Sequence, residues 1–359
     1  MKVLALHSRF SSFFSACFRE AVEGQGVNIH LICSKPSSDA PFDNEIIERS
    51  GAHLVAFRED LTVSQMMAEV ERFAPDIILT SGWMFKDYLE VCRWFRKRGG
   101  KVVAFCDTAY RGSWRQRVGC LLAKWLVHPA IDVVWVAGER QREYAKRLGY
   151  RTRHLWEPML CCDWPAFAAH RRPDPNQGEG FLFVGRLVPV KAFDILINAY
   201  GLYRESVSNP WPLKIVGSGP LSKIAENKEG IELLGFVQPS HLPEMMASAR
   251  AYVLPSNFEP WGVALQEAAS VGLPLIASDA CGASVHLLRD GWNGYLIEPG
   301  SVAELTDALI RMHTLSDDAR RAMGANSFEL SKQYTPELWA ATLVRGWKKL
   351  KESVSVSEE

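Results

Sequence analysis

The stretch AYVLPSNFEPWGVALQEAASVGLPLIAS, residues 251–278, decides the fold. Ala251–Pro255 is a short apolar run of strand length. Pro260 and Gly262 break the chain, Gly262–Ser270 has helical character, and Pro274–Ser278 is a second buried run. Strand, helix and strand within 28 residues is a crossover unit, and crossovers make parallel sheets. Strands this apolar, without polar alternation, predict a sheet covered on both faces.

The same rhythm extends in both directions. Toward the C-terminus come a helix over Ala283–Leu288, a strand over Gly294–Ile297, and helices over Val302–Met312 and Pro336–Lys351, with 352–359 expected to fray. Toward the N-terminus lie Phe181–Gly185, a helix near Ala192–Tyr203, Leu213–Val216, a helix after Leu221, Glu232–Leu234 and a helix over Leu242–Ala249. Residues 157–180 interrupt the pattern with four prolines and two glycines and read as an interdomain connection. Before it the alternation runs from Val3–His7 through Phe13–Glu23, Val27–Cys33, His53–Phe57, Val63–Phe73, Asp76–Thr80, Phe85–Arg98, Lys101–Cys106, Arg115–Val127 and Val133–Ala137 to Arg140–Leu148. The expectation is an α/β protein of two doubly wound parallel-sheet domains facing a cleft. Their bounds are 1–160 and 181–335, with a linker over 161–180 and a C-terminal helix over 336–359 that packs back toward the first domain.

The 359 residues carry no formal net charge, which argues against a general pull toward nucleic acid. Within 86–153, however, 16 basic residues face 6 acidic ones. The segments Cys92–Arg98 and Tyr110–Leu126 mix cations with tryptophan, a pattern suited to an anionic membrane surface. A solvated basic face with its tryptophans in the core is the plainer alternative. No nucleic-acid module is recognisable. The eight cysteines form no CxxC pair or zinc-ligand spacing and read as reduced thiols. No apolar run reaches membrane-span length, and MKVLALHSRF is too short a run for a secretory leader. A cytoplasmic location follows as an expectation.

Three motifs carry chemistry. Pro260 at the first helical position would open a helix whose N–H groups suit an oxygen-rich ligand. Glu259 and Glu267, eight residues apart on such a helix, would be separated by about 12 Å, too far for an acid and base on one glycosidic bond. They fit two groups of one long ligand; a helix-end charge and a solvated face are the alternative. FLFVGRLVPVK, residues 181–191, places Arg186 and Lys191 beyond a strand, where a fork and a point charge suit a diphosphate. A surface pair is the rival reading. Val216–Pro220 is a glycine turn after a strand, and alone it is weak.

In this order, VGRLVPVK, IVGSGPL and the run from LLGFVQ through YLIEPG resemble the C-terminal domain of retaining glycosyltransferases of family 4, which have the GT-B fold. The resemblance covers about residues 181–312; the first half matches only in rhythm, notably at VVWVAGERQREYAKRLGY. It implies that Arg186 and Lys191 neutralise the diphosphate of a nucleotide-sugar donor. It implies that Glu259 and the N–H groups of Trp261, Gly262 and Val263 hold the sugar, and that Glu267 holds the ribose. Gly217, Phe236 and Val237 lie where the family's base pocket forms, and Gly185 is counted among the donor-binding residues. No metal and no cofactor beyond the donor are implied. The implied acceptor is a glycan or glycolipid of cell-surface polysaccharide or lipopolysaccharide assembly. Three departures stand out. HSRFSSFF lacks paired glycines, leaving Ser8, Ser11 and Ser12 for the phosphates. Ala192 follows Lys191 where glycine is usual, expected to cost little. Asp107 ends a strand where many relatives carry histidine, as an acceptor-side carboxylate or merely a loop residue; His7 is the other candidate there. A sugar-nucleotide epimerase or hydrolase and a silent binding module remain the rival functions.

Overall fold

In the computed structural model residues 1–35 and 45–355 are described. The chain divides into two compact units, Met1–Cys162 with Tyr334 onward, and Asp163–Gln333.

Unit 1 is a parallel sheet of seven strands in the order β3-β2-β1-β4-β5-β6-β7. Its elements are β1 Lys2–Arg9, α1 Ser12–Arg19, β2 Asn28–Ser34, α2 Glu45–Glu48, β3 His53–Phe57, α3 Val63–Phe73 and β4 Ile77–Thr80, followed by α4 Lys86–Arg96, β5 Lys101–Cys106, α5 Trp114–Leu126, β6 Val133–Val136, α6 Glu139–Arg147 and the two-residue β7 Leu155–Trp156. The central strands are buried at every position in β4 and β6, as helices on both sheet faces require. Seven of the eight cysteines, all free, are buried. Local signals fix several helix ends. Thr62 and Gln65 form a reciprocal cap at the start of α3, and Gly149, at φ 95°, follows α6.

Unit 2 opens with α7 Trp164–Ala169. Its sheet, again parallel, has six strands in the order β10-β9-β8-β11-β12-β13. The elements are β8 Phe181–Val184, α8 Phe193–Ser206, β9 Leu213–Val216, β10 Ile231–Gly235, α9 Leu242–Ala247, β11 Ala251–Leu254, α10 Val263–Ser270, β12 Leu275–Ser278, α11 Ser284–Leu287, β13 Gly294–Ile297, α12 Val302–Thr314 and α13 Asp317–Ser331. The chain then returns to unit 1 as α14 Pro336–Ser355. There Trp339 is fully buried, stacks on Trp135 at 4.6 Å and donates from Nε1 to the Met159 carbonyl at 3.0 Å. Both sheets are therefore doubly wound, as expected.

Several expectations are corrected. Most of the linker segment 161–180 is built into unit 2. Glu179 N–H bonds the Ser248 carbonyl at 2.7 Å, and Asn176 Nδ2 bonds the Asp317 carbonyl at 3.0 Å. A Cβ on Gly178 or Gly180 would lie 2.2 Å from the Ala249 oxygen or 2.1 Å from that of Pro212. Those glycines serve close packing rather than slack. The helix after Leu221 is only a 3-10 turn, Ser222–Ile224. Residues 352–355, expected to fray, continue α14, while 356–359 lie outside the described residues. The helix α13 had no counterpart in the sequence reading.

The basic helix Cys92–Arg98 is also not a free cationic face. Arg96 makes two 2.8 Å bonds to the Asp132 carboxylate, and Arg93 donates to the Leu126 carbonyl at 2.8 Å. Arg98 stacks on Trp94 at 4.0 Å. The tryptophans of α5, in turn, are exposed rather than in the core.

Replacing Trp339 with alanine should cost ~3–5 kcal/mol, as for other buried tryptophans. Denaturant unfolding of W339A checks this, and a loss below about 1 kcal/mol would show that α14 does not help hold unit 1 together.

Candidate functional site

In unit 2 the strand order reverses between β8 and β11: crossovers from one run outward through β9 and β10, from the other through β12 and β13. Open α/β sheets bind ligands beyond the carboxyl ends of strands at such a point. Lys191 follows β8, and Glu259 follows β11.

The loops here are joined backbone to backbone. Gly185 N–H bonds the Val216 carbonyl at 2.9 Å, Leu187 N–H that of Ser218 at 2.9 Å, and Gly217 N–H that of Gly235 at 2.7 Å. A Cβ on Gly217 would stand 1.9 Å from the Gly185 oxygen. The glycine turn is therefore required by loop contact. Phe236, just beyond, is exposed, and Val237 is half-buried.

Lys191 ends a 3-10 turn, Pro189–Lys191, and its ammonium pairs with Glu259 Oε2. Both side chains are largely covered, at 17% and 12% exposure. The Glu259 loop is anchored on two sides. Asn257 N–H donates to the Val190 carbonyl at 3.0 Å and Asn257 Nδ2 to that of Pro189 at 3.1 Å. On the other side Glu259 N–H reaches the Ala280 carbonyl at 3.2 Å, and Gly282 N–H returns to that of Glu259 at 2.9 Å. The Cys281–Gly282 clamp was missed in the sequence. Its one signal is Gly282, where a Cβ would lie 2.0 Å from the Pro260 oxygen.

Burial lowers the Lys191 pKa to about 8, and the nearby Arg186 charge acts the same way. Cys281, close by, acts in the opposite direction. Arg186 is exposed and makes no ion pair among the described residues. The site thus presents an open guanidinium beside a largely covered ammonium, a combination suited to an anion.

Two helix expectations change. Pro260 is not the first helical residue: α10 begins at Val263, with Gly262 as its cap at φ 99°. Glu259 therefore lies off the helix, and helical rise does not measure its distance to Glu267. Nor is Glu267 on a solvated face. It is buried, and burial first, then the Asp163 charge, raises its pKa to about 7. Trp261 is buried with its ring 5.7 Å from that of His286. At the start of α10 the Leu265 N–H bonds the Gly262 carbonyl at 3.0 Å, while the first N–H groups of a helix, here that of Val263, have no carbonyl one turn back.

Ala192 adopts φ 53°, the left-handed region that favours glycine, so alanine there costs about 1–2 kcal/mol rather than nothing. Asp107 belongs to unit 1. It is exposed on the loop after β5, where its carbonyl accepts from Gln141 Nε2 at 2.9 Å. His7 sits among aromatic rings, 4.3 Å from Phe14, and is buried. Ser11 stands at the N-cap position of α1 without a side-chain capping bond, and Ser12 is the first helical residue. Among the described residues no group of three His, Cys, Asp or Glu is gathered as for a metal.

Two doubly wound parallel-sheet units are the fold of GT-B proteins. Residues 169–329 match the family of glycosyl transferases group 1, so the resemblance read over 181–312 holds. An exopolysaccharide phosphotransferase of Streptomyces coelicolor is 30% identical over 234 residues, 62% of this chain and 23% of that protein. A phosphatidyl-myo-inositol mannosyltransferase of Mycobacterium leprae is 32% identical over 177 residues, 48% of this chain and 46% of that one. The chain thus spans less than half the length of these relatives. Anabaena HepE, solved with UDP and glucose, shares the fold at 17% identity. That match covers 99% of this chain and 100% of HepE with a TM-score of 0.71.

Two outcomes follow for stability. A methyl on Gly262 would meet Cys281 Sγ at 2.7 Å at an unfavourable φ, so G262A should lose ~1–3 kcal/mol while A192G loses nothing; equal losses in denaturant unfolding would contradict this. For Glu267, the folded pKa is raised, so the native state holds the extra proton above pH 4.5. Stability should then fall as pH rises from 4.5 through about 7, by up to ~3 kcal/mol. E267Q should flatten that part of the pH–stability curve, and an unchanged slope would sink the assignment.

Proposed function

We propose that the chain is a retaining glycosyltransferase, moving a sugar from a UDP- or GDP-sugar to a glycan or lipid-linked acceptor. The observation that carries the reading is the Lys191–Glu259 pair at the switch point, with Arg186 open beside it. A nucleoside diphosphate brings an anion for Arg186 and a competitor to Glu259 for Lys191. As Lys191 turns to the diphosphate, Glu259 is released to accept hydrogen bonds from the sugar hydroxyls. The anomeric carbon–oxygen bond to the diphosphate breaks, and the acceptor oxygen bonds that carbon on the same face. The acceptor proton passes to a diphosphate oxygen, so no protein nucleophile is needed. Arg186 and Lys191 stabilise the charge that grows on the leaving group. Gly262 and Val263 N–H groups add donors at a helix start. Glu267 accepts from the ribose, the base lies over Gly217, Phe236 and Val237, and Asp107 serves the acceptor. The reaction runs without a metal.

The relatives' names, an exopolysaccharide enzyme and a phosphatidylinositol mannosyltransferase, support cell-surface glycan or glycolipid assembly, a class in which lipopolysaccharide also falls. A lipid-linked acceptor suits a protein lying on the inner face of the cell membrane. No helix among the described residues is long and apolar enough to cross one.

Calorimetry with UDP and GDP tests the site. R186A and K191A should each weaken the preferred diphosphate by about 10–100-fold, the worth of a charge-assisted hydrogen bond, with folding intact. Unchanged affinity would overturn the diphosphate assignment. Donor without acceptor should break down far more slowly than turnover; comparable rates would favour an epimerase or hydrolase.

A further inference from the structure

The helix α5 has two apolar faces, and unit 1 uses only one. At roughly 100° per residue, Ala123 and the following Val127 share the face that packs inward, and both are buried. On the opposite side Trp114, Val118, Leu121 and Trp125 recur at intervals of four, three and four, which makes one stripe along the helix. Trp114 is 70% exposed, Leu121 75% and Trp125 66%. Leu122 and Leu126, also exposed, widen the stripe on one side. Single exposed apolar residues need no explanation, but a contiguous apolar face does.

The charges define what covers it. The helix contains no acidic residue. On the same wheel Arg117 and Lys124 flank the stripe on one edge and Arg115 on the other. A second copy of this helix placed face to face would bring like charges together with no carboxylate of its own to pair them. An anionic lipid surface supplies both an apolar interior and phosphates at the flanks. Tryptophans at both ends suit the headgroup level, and long cationic side chains can reach outward from a submerged helix. The neighbouring helix α4 is support: Arg93 holds the Leu126 carbonyl, and Arg96 holds Asp132 and the His128 carbonyl.

We infer that α5 is an in-plane membrane anchor, its Trp114–Trp125 stripe entering the headgroup boundary of an anionic leaflet while Arg115, Arg117 and Lys124 engage lipid phosphates. The anchor narrows the broad basic region to one helix. It also sets the carboxyl end of β5 beside the bilayer, because Asp107 and Trp114 bracket the same short loop. The inference deepens the lipid-acceptor reading but stands on observations separate from the donor site.

The full chain is mixed with vesicles of phosphatidylcholine alone or with phosphatidylglycerol, and binding is read by co-sedimentation and by the blue shift of tryptophan emission. Binding should require phosphatidylglycerol and weaken with salt. L121E and W125E should each reduce it at least tenfold, as should reversing Arg115, Arg117 and Lys124 together. Calorimetric UDP or GDP binding should be unaltered in L121E, so that loss of the anchor and failure of the donor site are told apart. Absence of binding, equal binding to neutral vesicles, or binding untouched by both L121E and W125E would overturn the proposal. So would a dimer in sedimentation velocity that L121E dissolves.

Discussion

The Lys191–Glu259 ion pair depends on a property of parallel sheets. All strands of the second sheet end at one edge, and the reversal between β8 and β11 sends their connections apart. A gap opens there that no crossover fills. The turn after β8 delivers an ammonium into it, and the loop after β11 delivers a carboxylate. Neither loop is held by side-chain packing alone. Val190 and Pro189 accept bonds from Asn257 on one side, and the Ala280–Gly282 segment brackets Glu259 on the other. The pair is thus a small charged element on a rigid backbone frame. Both halves are largely covered, and burial pulls the Lys191 pKa down to about 8.

Much of this was legible in the sequence because it rests on short-range signals. Apolar runs such as Phe181–Val184 and Ala251–Leu254 can hardly be anything but buried strands in this rhythm, and the glycines beyond them mark where backbones approach. What escaped the sequence depends on tertiary contact. The run DDARRAMGANSFELS has no apolar stripe, yet it forms α13. Gly324, a poor helix former, permits close approach there, since a Cβ on it would lie 2.3 Å from the Gly272 oxygen. Buried Arg320 is satisfied by Asn176 at 2.6 Å and the Met312 carbonyl at 2.7 Å. The prolines and glycines of 161–180 look like slack for the same reason: their use is packing against a partner far away in the chain.

Charge was harder to read than hydrophobicity. A sequence counts cations but does not say which are paired. Arg96 and Arg115 look alike in a basic segment, yet one is bound to Asp132 and the other lies 5.5 Å from the Trp114 ring. Pro260 misled in another way. Proline favours a helix start, but Gly262 in a left-handed conformation delays the helix to Val263. That delay frees Glu259 to lie off the helix and meet Lys191.

The central claim is that Glu259 and an incoming diphosphate compete for Lys191. The direct measurement is the affinity of E259Q for UDP or GDP, whichever the native chain prefers, set beside its turnover of the sugar donor. The account predicts that the bare diphosphate binds E259Q as tightly as the native chain or more so, because its rival for the ammonium has lost its charge, while turnover collapses. If E259Q instead lost diphosphate affinity to the same extent as K191A, the pair would be a fixed part of the binding surface, and the exchange would be wrong.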